Sequence, residues 1–127
     1  MASTKTWTVE EANAALPRVR ALLERMRALV AASARATEAA EDRAAGNGQT
    51  PATRPDGELV AAVESLDQDG IVLRDLRTGL VDFPARLPDG REYLLCWVLG
   101  EPEVAWWHWP DTGFAGRRPL TDPPGPG

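Results

Sequence analysis

His108 is the single histidine of the chain, and its ordinary titration range straddles neutrality, so any acid–base chemistry near pH 7 starts there. Glu101 precedes it at a Gly100-Glu101-Pro102 turn, while Asp75 and Asp82 bracket an earlier turn at Arg77-Thr78-Gly79. His108 and Glu101 are the candidate general acid or base. Asp75, Asp82, Glu101 and His108 together form a one-histidine, several-carboxylate set, which would suit a divalent transition metal such as Mn²⁺, Fe²⁺ or Zn²⁺ better than a calcium cage; nothing in the spacing demands a metal, and ion pairing is the default reading. Arg117, in Gly113-Phe114-Ala115-Gly116-Arg117-Arg118, is the candidate anion clamp, and Trp107 with it is a candidate to line a cofactor. Each has a plainer alternative. Arg74 and Arg77 could neutralise the acids, and His108 could pack among tryptophans with one nitrogen on a carbonyl.

The single cysteine, Cys96, sits in the apolar run 93–99 and reads as inert core, because burial raises a thiol's pKa. One cysteine excludes an internal disulfide, and one histidine excludes a His-pair zinc motif such as HExxH within the chain. No GxSxG elbow, Walker A pattern or dinucleotide glycine fingerprint is present. The arginine-bearing loop at 113–118 has glycines a phosphate could use, but Pro119 stops the helix such a site would need, so a solvated basic turn is the better reading.

Length and charge narrow the setting. The 127 residues suit one domain with its own core. The net charge of −5 is concentrated after residue 45, which argues against nucleic acid as a partner of that half. No run of about 18 apolar residues occurs, and residues 1–7 lack the apolar core of a signal peptide, so no membrane span and a cytoplasmic location are expected.

These side chains must be positioned by a small number of elements. Thr8-Val9-Glu10-Glu11 is a capping box, with Trp7 placed to staple the first helical turn. Val9, Ala12, Leu16, Val19, Leu23, Met26 and Val30 then step by three and four, the spacing of a helical seam. Pro17 predicts a kink or restart, with Asn13 serving the disturbed turn. The alanine-rich run that follows carries the helix to about residue 44. Residues 46–57 read as a flexible loop. A second helix follows, capped by Asp56, with Leu59, Val60, Val63 and Leu66 inward.

After Gly70 the period changes to that of strands at 71–75, 80–83, 93–99 and 103–109, joined by short turns. If the last hairpin closes symmetrically about Glu101, Cys96 faces Trp106 and Leu94 faces His108. Val104, Trp106 and His108 then share one face, and Ala105, Trp107 and Trp109 the other. The face turned from the helices needs a cover, either the Phe114 loop or another subunit. The predicted fold is α+β: a long kinked N-terminal helix and a shorter one form a helical hairpin, packed on a small antiparallel meander of about four strands. One domain spans 1–120, with a disordered tail at 121–127.

Three phrases are long and unusual: Trp7-Thr-Val-Glu-Glu-Ala-Asn-Ala-Ala-Leu-Pro17, Asp75-Leu-Arg-Thr-Gly-Leu-Val-Asp-Phe-Pro84, and Cys96-Trp-Val-Leu-Gly-Glu-Pro-Glu-Val-Ala-Trp-Trp-His108 with Gly113-Phe-Ala-Gly-Arg-Arg-Pro119 after it. Together they resemble the bacterial and archaeal DUF2203 family from about Trp7 to Leu120. The resemblance implies a small cytoplasmic protein and carries no assigned residue roles.

Two functions follow as expectations. The first is a non-enzymatic interaction module that self-associates through the Leu16–Val30 seam or the tryptophan-rich sheet. A helix of roughly 35 residues would be about 50 Å long, whereas a globule of this chain length is about 28 Å across. The second is a small metal- or ligand-binding enzyme built on Asp75, Asp82, Glu101 and His108, with Arg117 clamping an anion. A third class, nucleic-acid binding, has only the arginine face of the first helix to use.

Overall fold

The computed structural model describes residues 5–42 and 55–124, with side chains described up to 35 and again from 57. Most of the loop expected at 46–57 lies outside the described residues. The first helix, α1 (Val9–Asp42), begins at the capping box: the Thr8 amide donates to Glu11 Oε1 at 3.0 Å, and the Glu11 amide to Thr8 Oγ1 at 3.1 Å. Trp7 is buried just before it, edge-on to Phe83 at 5.3 Å, and its amide donates to the Pro84 carbonyl, so the helix start is tied to the sheet. Pro17 lies inside α1 and the helix does not restart there. Asn13 leaves the local turn altogether. Its Oδ1 accepts the Val104 amide at 2.7 Å, a long-range tether where a local repair was expected.

The second helix, α2 (Pro55–Gln68), returns alongside α1, giving the helical hairpin. Arg18 pairs with Asp69 and Arg25 with Glu58, which fixes the antiparallel register. Both apolar stripes are rotated slightly from the expected ones. On α1 the buried stripe is Ala12, Leu16, Val19, Leu23, Met26 and Leu29, while Val30 is 43% exposed. On α2 it is Ala62 and Leu66, and Val60 and Val63 point outward. At 100° per residue, a step of three from Met26 or Leu59 holds the core direction where a step of four, or a single step to Val60, leaves it.

The sheet follows as an antiparallel meander: β1 (Val72–Asp75), β2 (Leu80–Arg86), β3 (Glu92–Val98), β4 (Trp106–His108) and β5 (Arg118–Pro119), in that spatial order. Five strands replace the expected four. The addition is a two-residue strand after a 3₁₀ turn at Phe114–Gly116, too short for any sequence period to announce. Gly79 closes the first hairpin with φ at +77°, and a Cβ there would stand 2.4 Å from Leu99 Cβ. Only glycine fits both demands.

Alternation divides the sheet cleanly. Val81, Phe83, Ala85, Leu95, Trp97 and Trp107 join the helices in one core, together with Trp7, Leu16, Leu23 and Met26. Val104, just before β4, joins that core as well, rather than sharing a face with His108 as the simple alternation predicts. Residues between these on β2, β3 and β4 point the other way, and they include Asp82, Cys96 and His108.

Beyond β5, Asp122 donates its amide to the Pro119 carbonyl and accepts Trp107 Nε1–H at 2.8 Å, so the stretch 121–124 starts under the sheet's edge. Residues 125–127 of the expected tail lie outside the described residues.

Candidate functional site

The far face of the sheet gathers three chemically capable side chains from three adjacent strands. Register does the gathering: Asp82 pairs with Cys96 across β2 and β3, Cys96 with Trp106, and Leu94 with His108 across β3 and β4. The last two pairings are those expected from a hairpin closed about Glu101. Asp82 and Cys96 are therefore direct cross-strand neighbours, and His108 lies one step along the diagonal. One donor atom from each of Asp82, Cys96 and His108 lies within 4.8 Å of the other two, and all three residues are buried.

Hydrogen bonds fix the orientation of the imidazole. His108 Nδ1 lies 2.8 Å from the Trp109 carbonyl, which can only accept, so Nδ1 carries a hydrogen. Nε2 then faces Asp82, 3.1 Å from Oδ1 and 3.1 Å from Oδ2. A hydrogen bond between those groups requires one proton, carried either by the ring or by the carboxyl.

Arg74 closes the carboxylate from the remaining side, with Nε donating to Asp82 Oδ2 at 2.8 Å. Its position comes from a bulge. Leu73 pairs with Val81 and Asp75 with Leu80, which leaves Arg74 as the extra residue of β1. Bulges turn a side chain out of the regular alternation, and here the turned side chain reaches Asp82. The two terminal nitrogens of Arg74 have no acceptor among the described residues, and its side chain is 46% exposed.

A cavity of about 200 Å³ opens above this group, lined by Arg74, Leu80, Asp82, His108, Pro110 and the Gly113–Phe114 turn. Pro110, Gly113 and Phe114 belong to the loop after β4, so this loop supplies cover to the face opposite the helices. A larger groove of about 600 Å³ shares Arg74 and Pro110 with it and runs over Val72, Pro84 and Leu94 towards Lys5.

The other expected site residues do not join the Asp82–His108 pair. Asp75 accepts the Arg77 amide at 2.9 Å and stabilises the first hairpin turn. Glu101 and Arg117 hold one another: Arg117 Nη2 donates to both Glu101 oxygens, at 3.0 and 2.8 Å, and Glu101 Oε1 also accepts the Val98 amide. The Arg117 guanidinium lies over Trp106 at 4.6 Å and over Phe114 at 4.9 Å, so it ties the Phe114 turn to the sheet. Its Nε is buried without a partner. Trp107 is 1% exposed and packs edge-on to Tyr93 and Trp109 in the helix-side core, away from this cavity.

Cys96 is the residue that reading by composition passed over. Burial first, and then the neighbouring Asp82 charge, push its thiol up to about 12, so it is inert as a nucleophile, as expected. Its place beside Asp82 was nevertheless in the sequence: a second hairpin closed symmetrically about Asp89, like the last one about Glu101, puts Cys96 opposite Asp82.

The fold and site occupy most of the stretch that matches a known family, residues 5–120, described as an uncharacterized conserved protein family, DUF2203. The chain belongs to the DUF2203 family. No curated protein and no solved structure matches it. Among the described residues of this DUF2203 protein, no helix is long and apolar enough to cross a membrane.

Proposed function

We propose that this DUF2203 protein binds a small carboxylate-bearing ligand in the far-face cavity and exchanges a proton with it there. One observation carries the reading: the buried, hydrogen-bonded His108–Asp82 pair shares a cavity wall with a guanidinium whose terminal nitrogens are free among the described residues. A guanidinium anchored through Nε presents its remaining N–H groups in a fixed plane, which matches a carboxylate's two oxygens. Both nitrogens of His108 are engaged, so a proton would pass to or from the ligand by way of Asp82, which lines the same cavity. Leu80, Pro110 and Phe114 supply apolar walls for the rest of the molecule. The anion-clamp role expected of Arg117 passes to Arg74, because Arg117 is already engaged by Glu101.

At about 200 Å³ the cavity is smaller than pockets for drug-sized molecules, which run from roughly 300 Å³ upwards. The ligand is accordingly a few heavy atoms across, unless it extends into the adjoining groove. The test is calorimetric titration of EDTA-treated protein with acetate, propionate and benzoate. Saturable binding that weakens at least tenfold in Arg74→Gln is expected. Absence of saturation below about 10 mM, where binding is worth under ~3 kcal/mol, would end this reading.

Self-association is a second reading, favoured by three exposed valines on the helical hairpin, Val30 at 43%, Val60 at 54% and Val63 at 40%. At 34 residues α1 also runs well past the 14-residue α2. Sedimentation velocity decides it. A concentration-dependent dimer lost in Val60→Lys supports the reading, and a monomer across the micromolar range removes it.

A further inference from the structure

We infer that Asp82, Cys96 and His108 form a three-ligand site for a zinc-type divalent ion, with a fourth position open to the cavity beside Arg74. The inference rests on the same far-face site as the carboxylate reading, but it requires no organic ligand.

Geometry is the first argument. Zinc bonds of about 2.0–2.3 Å, arranged tetrahedrally, put ligand atoms roughly 3.3–3.7 Å apart. The 3.1 Å between His108 Nε2 and Asp82 is already near that, and a longest separation within 4.8 Å closes by about an ångström of side-chain rotation. All three donors stand on neighbouring strands of one sheet, where the backbone is fixed by the ladder.

The surroundings are the second argument. Metal-bound histidines characteristically give their other N–H to a carbonyl or carboxylate, and His108 Nδ1 already does so at Trp109. Arg74 holds one oxygen of Asp82 from outside, as an outer hydrogen bond orients a ligating carboxylate. Glu101 already neutralises Arg117, the other cation near Cys96.

Proton and charge balance are consistent with a divalent ion. Its arrival releases the Cys96 thiol proton and the proton held between His108 and Asp82 to solvent. Thiolate, carboxylate and neutral imidazole remain, and their two negative charges match the ion's two positive ones. The sulfur ligand selects zinc or iron over the manganese that an all-carboxylate set would accept. Three protein ligands with one open position are the arrangement of sites that hold a water or a substrate.

The test uses the full chain, stripped with EDTA and titrated with Co²⁺ as the zinc surrogate. Uptake of one equivalent should bring a thiolate-to-cobalt charge-transfer band in the near ultraviolet together with tetrahedral bands in the visible. Cys96→Ser should abolish the first and weaken uptake at least tenfold, whereas Asp75→Asn should bind as the wild type does. X-ray absorption at the zinc edge of the wild-type protein avoids any question of variant folding and should detect one sulfur at about 2.3 Å. No uptake at one equivalent, a charge-transfer band that survives Cys96→Ser, or a zinc shell without sulfur would each overturn the inference. Because the probe is metal alone, failure here leaves the carboxylate titration of EDTA-treated protein to stand or fall separately.

Discussion

His108 Nε2 lies 3.1 Å from both carboxylate oxygens of Asp82, a residue 26 positions earlier, while Nδ1 is committed to the carbonyl of Trp109 next door. Every nitrogen of the ring is thereby assigned. A side chain on β2 and another on β4 thus meet on the far face, where Cys96 of β3 brings a third donor atom within 4.8 Å.

Asp82 should be the most sensitive position of the far face. It is 1% exposed and accepts from Arg74 and His108, so Asp82→Ala leaves two polar partners without their acceptor. Breaking such a buried pair costs about 3–5 kcal/mol. Urea unfolding should show a loss in that range for Asp82→Ala and a smaller one for Asp82→Asn. A loss below about 1 kcal/mol would mean the pair contributes little to holding the strands.

Cys96 should resist thiol reagents at pH 8 in the native protein and react fully once unfolded, since its thiol is held up to about 12 by burial and by Asp82. The same shift gives an alkaline stability loss. The unfolded chain releases this proton near pH 9 and the native protein only near 12, so between those values the native state binds more protons and stability falls as pH rises. Its full size is up to about 4 kcal/mol, counting 1.36 kcal/mol per unit. Cys96→Ala should flatten that decline relative to wild type, leaving the part due to Tyr93, whose hydroxyl is also pushed up by burial. Equal slopes in the two proteins would contradict this account of the thiol.

Gly79→Ala should destabilise the first hairpin by at least about 2 kcal/mol, because it combines a left-handed backbone position with a clash against Leu99. Gly90 also has positive φ but no atom within 4 Å of an added Cβ, so Gly90→Ala should cost less. Parallel chemical denaturation of the two variants compares the terms, and a larger loss at Gly90 would refute the close-approach argument.

Asn13→Ala should cost about 1–3 kcal/mol by leaving the Val104 amide without its acceptor. Amide hydrogen exchange localises the effect. The Val104 amide should lose protection in the variant, and unchanged protection would show that Asn13 is not what holds the chain there.

Much of this arrangement was legible from residue order. The capping box at Thr8 and Glu11 formed as written, because both partners lie within one turn and need no tertiary help. The last hairpin's pairing of Leu94 with His108 followed from a short turn and strict alternation. What could not be read has physical causes. That Arg74 would pair with an acid of the first hairpin was the plainer expectation and holds at Asp82, but the bulge that turns it there leaves no compositional mark. Glu101 and Arg117 looked like members of the site, but long flexible side chains choose partners by three-dimensional proximity, and they chose each other. Asp75 was spent on a local turn, its carboxylate accepting the amide two residues on, as a short acid at a turn commonly does. Cys96 was readable in part. Its burial and inertness were evident from the apolar run, yet its neighbourhood with Asp82 needed the pairing of a second hairpin.

The single histidine makes the central claim directly measurable, because the imidazole region of the ¹H–¹⁵N spectrum contains one residue. EDTA-treated wild-type protein should give a neutral-ring pattern or an imidazolium pattern in which Nδ1 is protonated throughout, and benzoate should shift the His108 signals saturably. The Arg74→Gln variant should keep the Nδ1 proton while its benzoate response weakens at least tenfold. A ring protonated only at Nε2, or His108 signals that ignore benzoate, or that follow it equally in both proteins, would contradict the assignment of this face as the ligand site.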